Sequence, residues 1–293
     1  MMIRYNLHSR NIADPQKFVD IYHERLELKK KKDPLQAVLK IVLNSTYGVL
    51  KDKNNDLYDP LMSNKVCVYG QILLLDLIEH IEPYAQLIQS NTDGILIKMP
   101  DGQDEEEWFN LIDDIAWEWE QRTGLTLEFD EYRKVFQKDV NNYIIVAPDG
   151  HIKSKGTYVK KLSNLDYGDF PIVNHALVEY MVKNVPVERF IHNCDELKEF
   201  QMVTKITSKY STILHGDEPI KEKCIRVFAS TREADAGVKK VSIRTGKPEK
   251  IASSPEHCFM FNENMTDVRC PAYLDKDWYV ELAKKRLKDF GVM

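Results

Sequence analysis

The sequence predicts an α+β fold on three observations. Residues 17–50 carry a helix-spaced apolar pattern, residues 86–99 carry a hairpin signal, and residues 125–159 alternate with a period of two. In the first stretch Phe18, Ile21, Tyr22, Leu26 and Leu28 predict one helix. Asp33-Pro34 breaks it, and Pro34 can open a second helix through Leu35, Val38, Leu39 and Val42. Residues 65–82 predict a mostly buried helix ending near Pro83. Gln86–Ser90 and Ile95–Met99 are short apolar runs joined by Asn-Thr-Asp-Gly, a hairpin turn. Residues 104–123 predict a helix with an acidic face and an aromatic face (Trp108, Phe109, Trp117, Trp119) stopped by Gly124, its tryptophans read as core. Leu125–Phe129, Tyr132–Gln137, Tyr143–Val146 and Ile152–Val159 predict strands, with a turn at Pro148-Asp149-Gly150. Beyond about residue 165 the texture changes to helices and irregular segments, with a loop over residues 235–257 and a last helix over Trp278–Phe290.

Composition narrows the function classes. The 293 residues are 43% hydrophobic and 30% charged, an ordinary globular balance. No apolar run is read as reaching the ~20 residues of a bilayer span, and the start lacks signal-peptide form. The reading is a protein without a membrane partner, in the cytoplasm. Cys67, Cys194, Cys224, Cys258 and Cys270 form no C-x-x-C pair, so neither a zinc site nor a disulfide framework is expected. The histidines show no metal-ligand spacing. The net charge of −5 conceals segregation: residues 76–131 hold sixteen acids and two bases, whereas residues 132–165 hold seven bases and two acids. Local positive surface, not the total, decides whether a protein can bind nucleic acid.

On the second helix Lys40, Asn44, Tyr47 and Gly48 form one stripe, at i, i+4, i+7 and i+8. A cation, an amide, a ring and a bare backbone are what a nucleotide needs for its phosphates, its polar edge and its base. Arg25 and Lys29, also i,i+4, could complete a phosphate clamp. A solvated basic helix capped by glycine satisfies the same pattern, and the Lys29–Lys32 run reads more simply as solvated. Asp93 falls at the tip of the predicted hairpin, where a carboxylate can project freely, although Asn-Thr-Asp-Gly is also a sufficient turn without any metal.

Taken in order, Lys40-Ile-Val-Leu-Asn44-Ser45-Thr46-Tyr47-Gly48 and Asn91-Thr92-Asp93-Gly94 resemble two active-site motifs of family B DNA polymerases, K-x-x-x-N-S-x-Y-G of the fingers and D-T-D-S of the palm. The resemblance implies helical-hairpin fingers, an antiparallel palm sheet and a mostly helical thumb. Its domains would be a palm remnant at 1–16, fingers at 17–50, palm at 51–164 and a thumb-like lobe at 165–293. It implies nucleotide contacts at Lys40, Asn44 and Tyr47, with Gly48, Arg25 and Lys29 beside them, and catalysis through Mg²⁺ held at Asp93. In the palm motif the first Asp is replaced by Asn91, which keeps an oxygen but loses a charge, and the Ser by Gly94. Glu128 is a candidate accessory carboxylate.

Lys138 and Tyr143 resemble the family's K-K-x-Y strand loosely, and Lys153-Ser154-Lys155-Gly156 resembles its K-G pair. These imply contacts to the primer and its phosphates, although a polar outer hairpin face would read the same for Lys153 and Lys155. Lys205 and Lys209 could grip phosphates further on. The third motif, D-x-x-S-x-Y-P-S, is not in the sequence, and Met1–Pro15 resembles the segment that follows it. The chain therefore resembles the C-terminal part of a compact phage-type enzyme. It is expected to need an upstream fragment carrying that motif as partner, besides primer-template DNA and deoxynucleoside triphosphates. The alternative is a noncatalytic polymerase-like module that binds DNA or a replication partner.

Overall fold

Helices and antiparallel sheets alternate through a computed structural model that describes residues 1–160 and 168–292, as the α+β reading expects. The chain divides into two units, Met1–Phe129 and Asp130–Met293. The boundary expected near residue 165 lies outside the described residues.

The first unit opens with the predicted helical hairpin, α1 (Gln16–Lys30) and α2 (Leu35–Val49). Lys32 turns into left-handed backbone (φ 56°) between them, and the Asp33 carboxylate accepts from the Leu35 amide. Neither helix has a buried residue. The hairpin is rooted at its end, where Leu50 is wholly buried.

Helix α3 (Pro60–Ile81) begins earlier than expected, because Asp59 caps it and Pro60 opens it. Asp59 accepts from Met62 N at 3.2 Å and from Arg10 N and Nε, both at 2.9 Å. The Arg10 hydrogen bond, with the backbone donors behind it, holds the Asp59 carboxyl well below the usual carboxylate range despite its burial.

The expectation that this helix is mostly buried fails. Only Ser63, Val66, Leu77 and Ile81 are buried, while Leu61, Val68, Tyr69, Ile72 and Leu75 are exposed. The helix is apolar nearly all round, and the first unit covers one side of it. Contrary to the sequence reading, Pro60–Ile81 is also long and apolar enough to cross a membrane by length and composition.

Strands β1 (Gln86–Asn91) and β2 (Gly94–Lys98) pair antiparallel as predicted, Asn91 opposite Gly94. Helix α4 (Glu105–Thr123) is capped by Asp104 and ends at Gly124, where φ is 65° and a Cβ would run into the Arg4 guanidinium. Its aromatic face divides: Trp119 is buried and bonds Leu73 O, whereas Trp117 is 61% exposed and not core. Leu77, Ile81, Ala85, Ile112 and Trp119 form the small core of this unit. Residues 125–129 are not the predicted strand. The amides of Leu125 and Leu127 bond the Thr123 hydroxyl and the Glu120 carboxylate, so side chains replace a strand partner.

The second unit begins with a three-stranded antiparallel sheet, β3 (Lys134–Asp139), β4 (Asn142–Val146) and β5 (Ile152–Lys155). The predicted turn at 148–150 joins the last two, with Gly150 at φ 84°. β5 stops short of Val159 because Gly156 leaves strand geometry at φ 103°.

The region expected to be mostly helical carries α5 (Pro171–Lys183) and α6 (Val187–Asn193), then seven strands: β6 (Met202–Lys205), β7 (Tyr210–His215), β8 (Glu218–Ile220), β9 (Cys224–Ala229), β10 (Val238–Ser242), β11 (Pro248–Lys250) and β12 (Cys258–Met260). They form sheets ordered β11-β10-β7-β8 and β12-β9-β6. The expected loop at 235–257 thus contains a hairpin. Helix α7 (Lys276–Asp289) closes the chain and sends Tyr279 into the core, where its hydroxyl donates to Phe200 O at 2.8 Å and accepts from Ala229 N at 2.9 Å.

Candidate functional site

The α2 stripe is open to solvent. Lys40, Asn44 and Gly48 are exposed, and no atom lies within 4 Å of where a Gly48 Cβ would stand, so no packing within the chain requires glycine there. Ser45 and Thr46 turn their hydroxyls back to Ile41 O and Val42 O at 2.7 and 3.0 Å, off the neighbouring face. Tyr47 is half-buried. Its hydroxyl shares a hydrogen bond with Cys67 Sγ at 2.9 Å, and Lys51 Nζ lies 5.5 Å from its ring centroid. Lys51 was missed in the sequence, although it continues the same spacing four residues beyond Tyr47.

On α1, Arg25 is half-buried and its Nε is a buried donor without a partner among the described residues. Lys29 bonds Glu128 at 3.0 Å, so a predicted phosphate ligand and a predicted metal ligand pair with each other. Both are exposed, and such a pair contributes little to stability.

In the β1–β2 turn Asn91 Oδ1 accepts from Thr92 N at 2.8 Å and Thr92 Oγ1 at 3.2 Å, so its oxygen serves the turn. Asp93 is exposed. No cluster of three histidine, cysteine or carboxylate side chains that could hold a metal occurs among the described residues. Asp93, Asn91 and Glu128 are therefore not gathered into such a cluster among the described residues.

In the second unit Lys138, Tyr143, Lys153 and Lys155 lie on one sheet, and Gly156 follows the end of its last strand. Tyr143 stands opposite Lys155 across β4 and β5, with Lys155 Nζ 5.8 Å from its ring centroid. Lys153 and Lys155 are both exposed, two residues apart and therefore on one face. Lys138 bonds Asp139 at 3.1 Å and lies 5.4 Å from the Tyr158 ring centroid. The Asn142 side chain, with Asn141 N and Lys138 behind it, holds the Asp139 carboxyl at about 2. Gly156 is demanded by geometry: a Cβ would come 2.3 Å from Asn141 O and Asn142 Oδ1. Lys205 ends β6 and Lys209 precedes β7, both exposed, and neither strand belongs to the β3–β5 sheet.

No family model matches the chain. It is 25% identical over 250 residues to DNA polymerase 1 of Sulfurisphaera ohwakuensis, covering 76% of this chain and 28% of that protein. It is 27% identical over 249 residues to DNA polymerase 1 of Sulfolobus acidocaldarius, with the same coverage of each. Over 84 residues it is 31% identical to a DNA polymerase of Acidianus bottle-shaped virus, 28% of this chain and 12% of that one. The fold matches the family B DNA polymerase of Pyrobaculum calidifontis with a TM-score of 0.55 and 15% identity, over 94% of this chain and 36% of that one. The chain spans about 28% of the length of the first two relatives.

Proposed function

We propose that the chain takes part in template-directed DNA synthesis, as the part of a family B DNA polymerase that bears fingers, most of the palm and thumb; its similarity to the archaeal DNA polymerases 1 and its fold support this reading. The observation that carries this reading is the open Lys40–Asn44–Tyr47–Gly48 stripe followed by an exposed Asp93 at a hairpin turn. The reaction joins a primer 3′-hydroxyl to the α-phosphate of a deoxynucleoside triphosphate, with pyrophosphate leaving. Lys40 meets the triphosphate, Asn44 offers a hydrogen bond beside it, and Tyr47 presents a flat surface to the base pair. Arg25 and Lys29 stand by on α1, and Gly48 keeps the helix surface clear. Lys138, Tyr143, Lys153, Lys155, Gly156, Lys205 and Lys209 hold the primer-template through its backbone.

Mg²⁺ supplies charge stabilisation in such reactions. In this proposal Asp93 gives one ligand, and the second carboxylate comes from a separate polymerase segment carrying D-x-x-S-x-Y-P-S. Neither Asn91 nor Glu128 is assigned that task. The exposed apolar residues of α3 (Leu61, Val68, Tyr69, Ile72 and Leu75) support such a partner, because exposed apolar side chains gathered on one element mark interaction surfaces. The place of action is the cytoplasm, the host's if the chain is phage-encoded. A second reading, a noncatalytic module that binds DNA or a replication partner, is favoured by Asn91 alone, whose oxygen is committed to its own turn.

Primer extension with Mg²⁺ and all four nucleotides separates these. The purified chain alone should give no product, and co-expression with the upstream segment should restore synthesis. Template-directed synthesis by the chain alone would remove the partner. A stable complex that still makes no product would favour the noncatalytic module.

In the restored enzyme Lys40→Ala should raise the nucleotide KM and lower kcat by a combined factor of about tenfold or more, the worth of a charge-assisted phosphate contact of roughly 1.5–3 kcal/mol. Primer-template affinity should hardly change. Unaltered steady-state kinetics would take Lys40 out of the site.

A further inference from the structure

Asp59 sits where the two legs of the helical hairpin come together. The leg entering α1 runs through Arg10, and the leg leaving α2 ends at Leu50. The Asp59 amide donates to Leu50 O at 3.0 Å. Its carboxylate grips Arg10: Oδ2 accepts from Arg10 N and Nε, both at 2.9 Å, and Oδ1 accepts from Nη2 at 3.0 Å. Beside it Asn11 Nδ2 donates to Tyr58 O at 2.9 Å, so residues 10–11 and 58–59 are joined at two successive positions. A two-pronged guanidinium–carboxylate contact fixes orientation as well as distance.

The other side-chain ties from the hairpin are weaker in kind. Lys29–Glu128 and Tyr47–Cys67 are single contacts between exposed or half-buried side chains, whereas Asp59 is buried and binds both legs. The same carboxylate caps α3 through Met62 N, and α3 leads along the chain to the β1–β2 turn that carries Asp93. One residue thus joins the entry to the hairpin, its exit and the helix that runs toward the turn.

We infer that Arg10 and Asp59 are positioning residues, which set the Lys40 stripe against the Asp93 turn by clasping both legs of the hairpin to the start of α3. The inference rests on the polymerase reading for the roles of Lys40 and Asp93, while the clasp itself does not. Neither residue lies in the stripe or in the turn, and neither touches nucleotide or metal in this role. The Arg10 side chain is 61% exposed, so it can be exchanged without opening a core. Arg10→Gln leaves Asp59 its bonds from the Arg10 and Met62 amides, so α3 keeps its cap while the guanidinium hold is lost. Arg10→Lys returns the charge but not the two-pronged geometry.

Zero-length carbodiimide coupling of the full chain reads the place of the hairpin directly. Lys29 Nζ and Glu128 Oε1 lie 3.0 Å apart although 99 residues separate them, so they couple only while α1 keeps its place. Lys30 and Glu27, 2.9 Å apart within α1, give an internal standard. In Arg10→Gln the initial rate of Lys29–Glu128 coupling, relative to that standard, should fall about threefold or more, with Arg10→Lys between the two. An unchanged ratio in Arg10→Gln would overturn the clasp. Should that variant fail to fold, an unchanged ratio in Arg10→Lys would do the same.

In the restored two-part enzyme Arg10→Gln should raise the nucleotide KM about fivefold or more, with primer-template affinity unaltered. Once Lys40 is already alanine, the same exchange should add less than about twofold, because both act on one contact. A variant that is merely less stable would give effects that multiply. Multiplying effects, or an unaltered KM beside a lowered coupling ratio, would overturn the positioning role. Absence of synthesis by the restored enzyme would overturn the polymerase reading and that role with it, while a lowered coupling ratio would still support the clasp.

Discussion

Asp93→Asn is expected to abolish primer extension by the restored two-part enzyme while leaving its fold and its DNA affinity as they were. The side chain lies exposed at a hairpin turn and supports no core, so its removal costs little stability. Chemistry is another matter: in the role proposed for Asp93, exchanging the carboxylate for an amide removes the full negative charge that would hold a hard cation. A loss of about three orders of magnitude in rate corresponds to roughly 4 kcal/mol of transition-state stabilisation. Single-turnover extension with Mg²⁺, alongside a thermal melt and a binding curve, measures all three quantities. Extension at the unaltered rate would place the metal elsewhere.

The largest expected effect on stability belongs to Arg286→Ala. Arg286 and Asp169 form an ion pair with side chains 7% and 3% exposed, and Arg286 Nη1 donates to Asn174 Oδ1 at 2.8 Å. The guanidinium also lies 4.7 Å from the Tyr158 ring centroid. Truncation leaves a carboxylate and an amide oxygen buried without their donor, a loss of roughly 3–5 kcal/mol. Whole domains are stable by only about 5–15 kcal/mol, so the second unit should lose a substantial part of its margin. Urea unfolding followed through Trp278, which packs beside Tyr279 at 5.1 Å between centroids, reports it. A cost below about 1 kcal/mol would show that water reaches Asp169 readily.

What was legible in the sequence was local. Pro34 and the spacing on either side of it announce the helical hairpin, and Asn91–Gly94 between two apolar runs announces its turn. Asp104 and Gly124 mark both ends of α4 within a residue. Strands β6–β12 were illegible because they are short and several of them pair over long distances: Met202 with Val227, Lys239 with Leu214, Cys258 with Ala229. Three to six residues of mixed polarity carry no periodicity strong enough to separate strand from loop.

The burial of α3 was misjudged for a related reason. Apolar residues all round a helix say that it wants partners, not where they are. At the site, the Lys40 stripe follows from helix spacing alone, but the Lys29–Glu128 pair joins residues 99 apart and leaves no trace in either motif. Gly156 was singled out by its place in the Lys153-Ser154-Lys155-Gly156 motif, while the crowding against Asn141 and Asn142 that demands glycine there is visible only in three dimensions.

The helical hairpin of α1 and α2, which buries no side chain along its length and is anchored at Leu50, has the mechanics of a lever. At ~1.5 Å per residue, Lys40 rides about 15 Å from that pivot and the first residue of α2 about 22 Å. A tilt of about 10° at the root therefore carries Lys40 through roughly 2.6 Å. That sweep covers the difference between a hydrogen bond and no contact at all. In the role proposed for Lys40, its reach to a phosphate is thus governed at Leu50, ten residues away and out of reach of solvent.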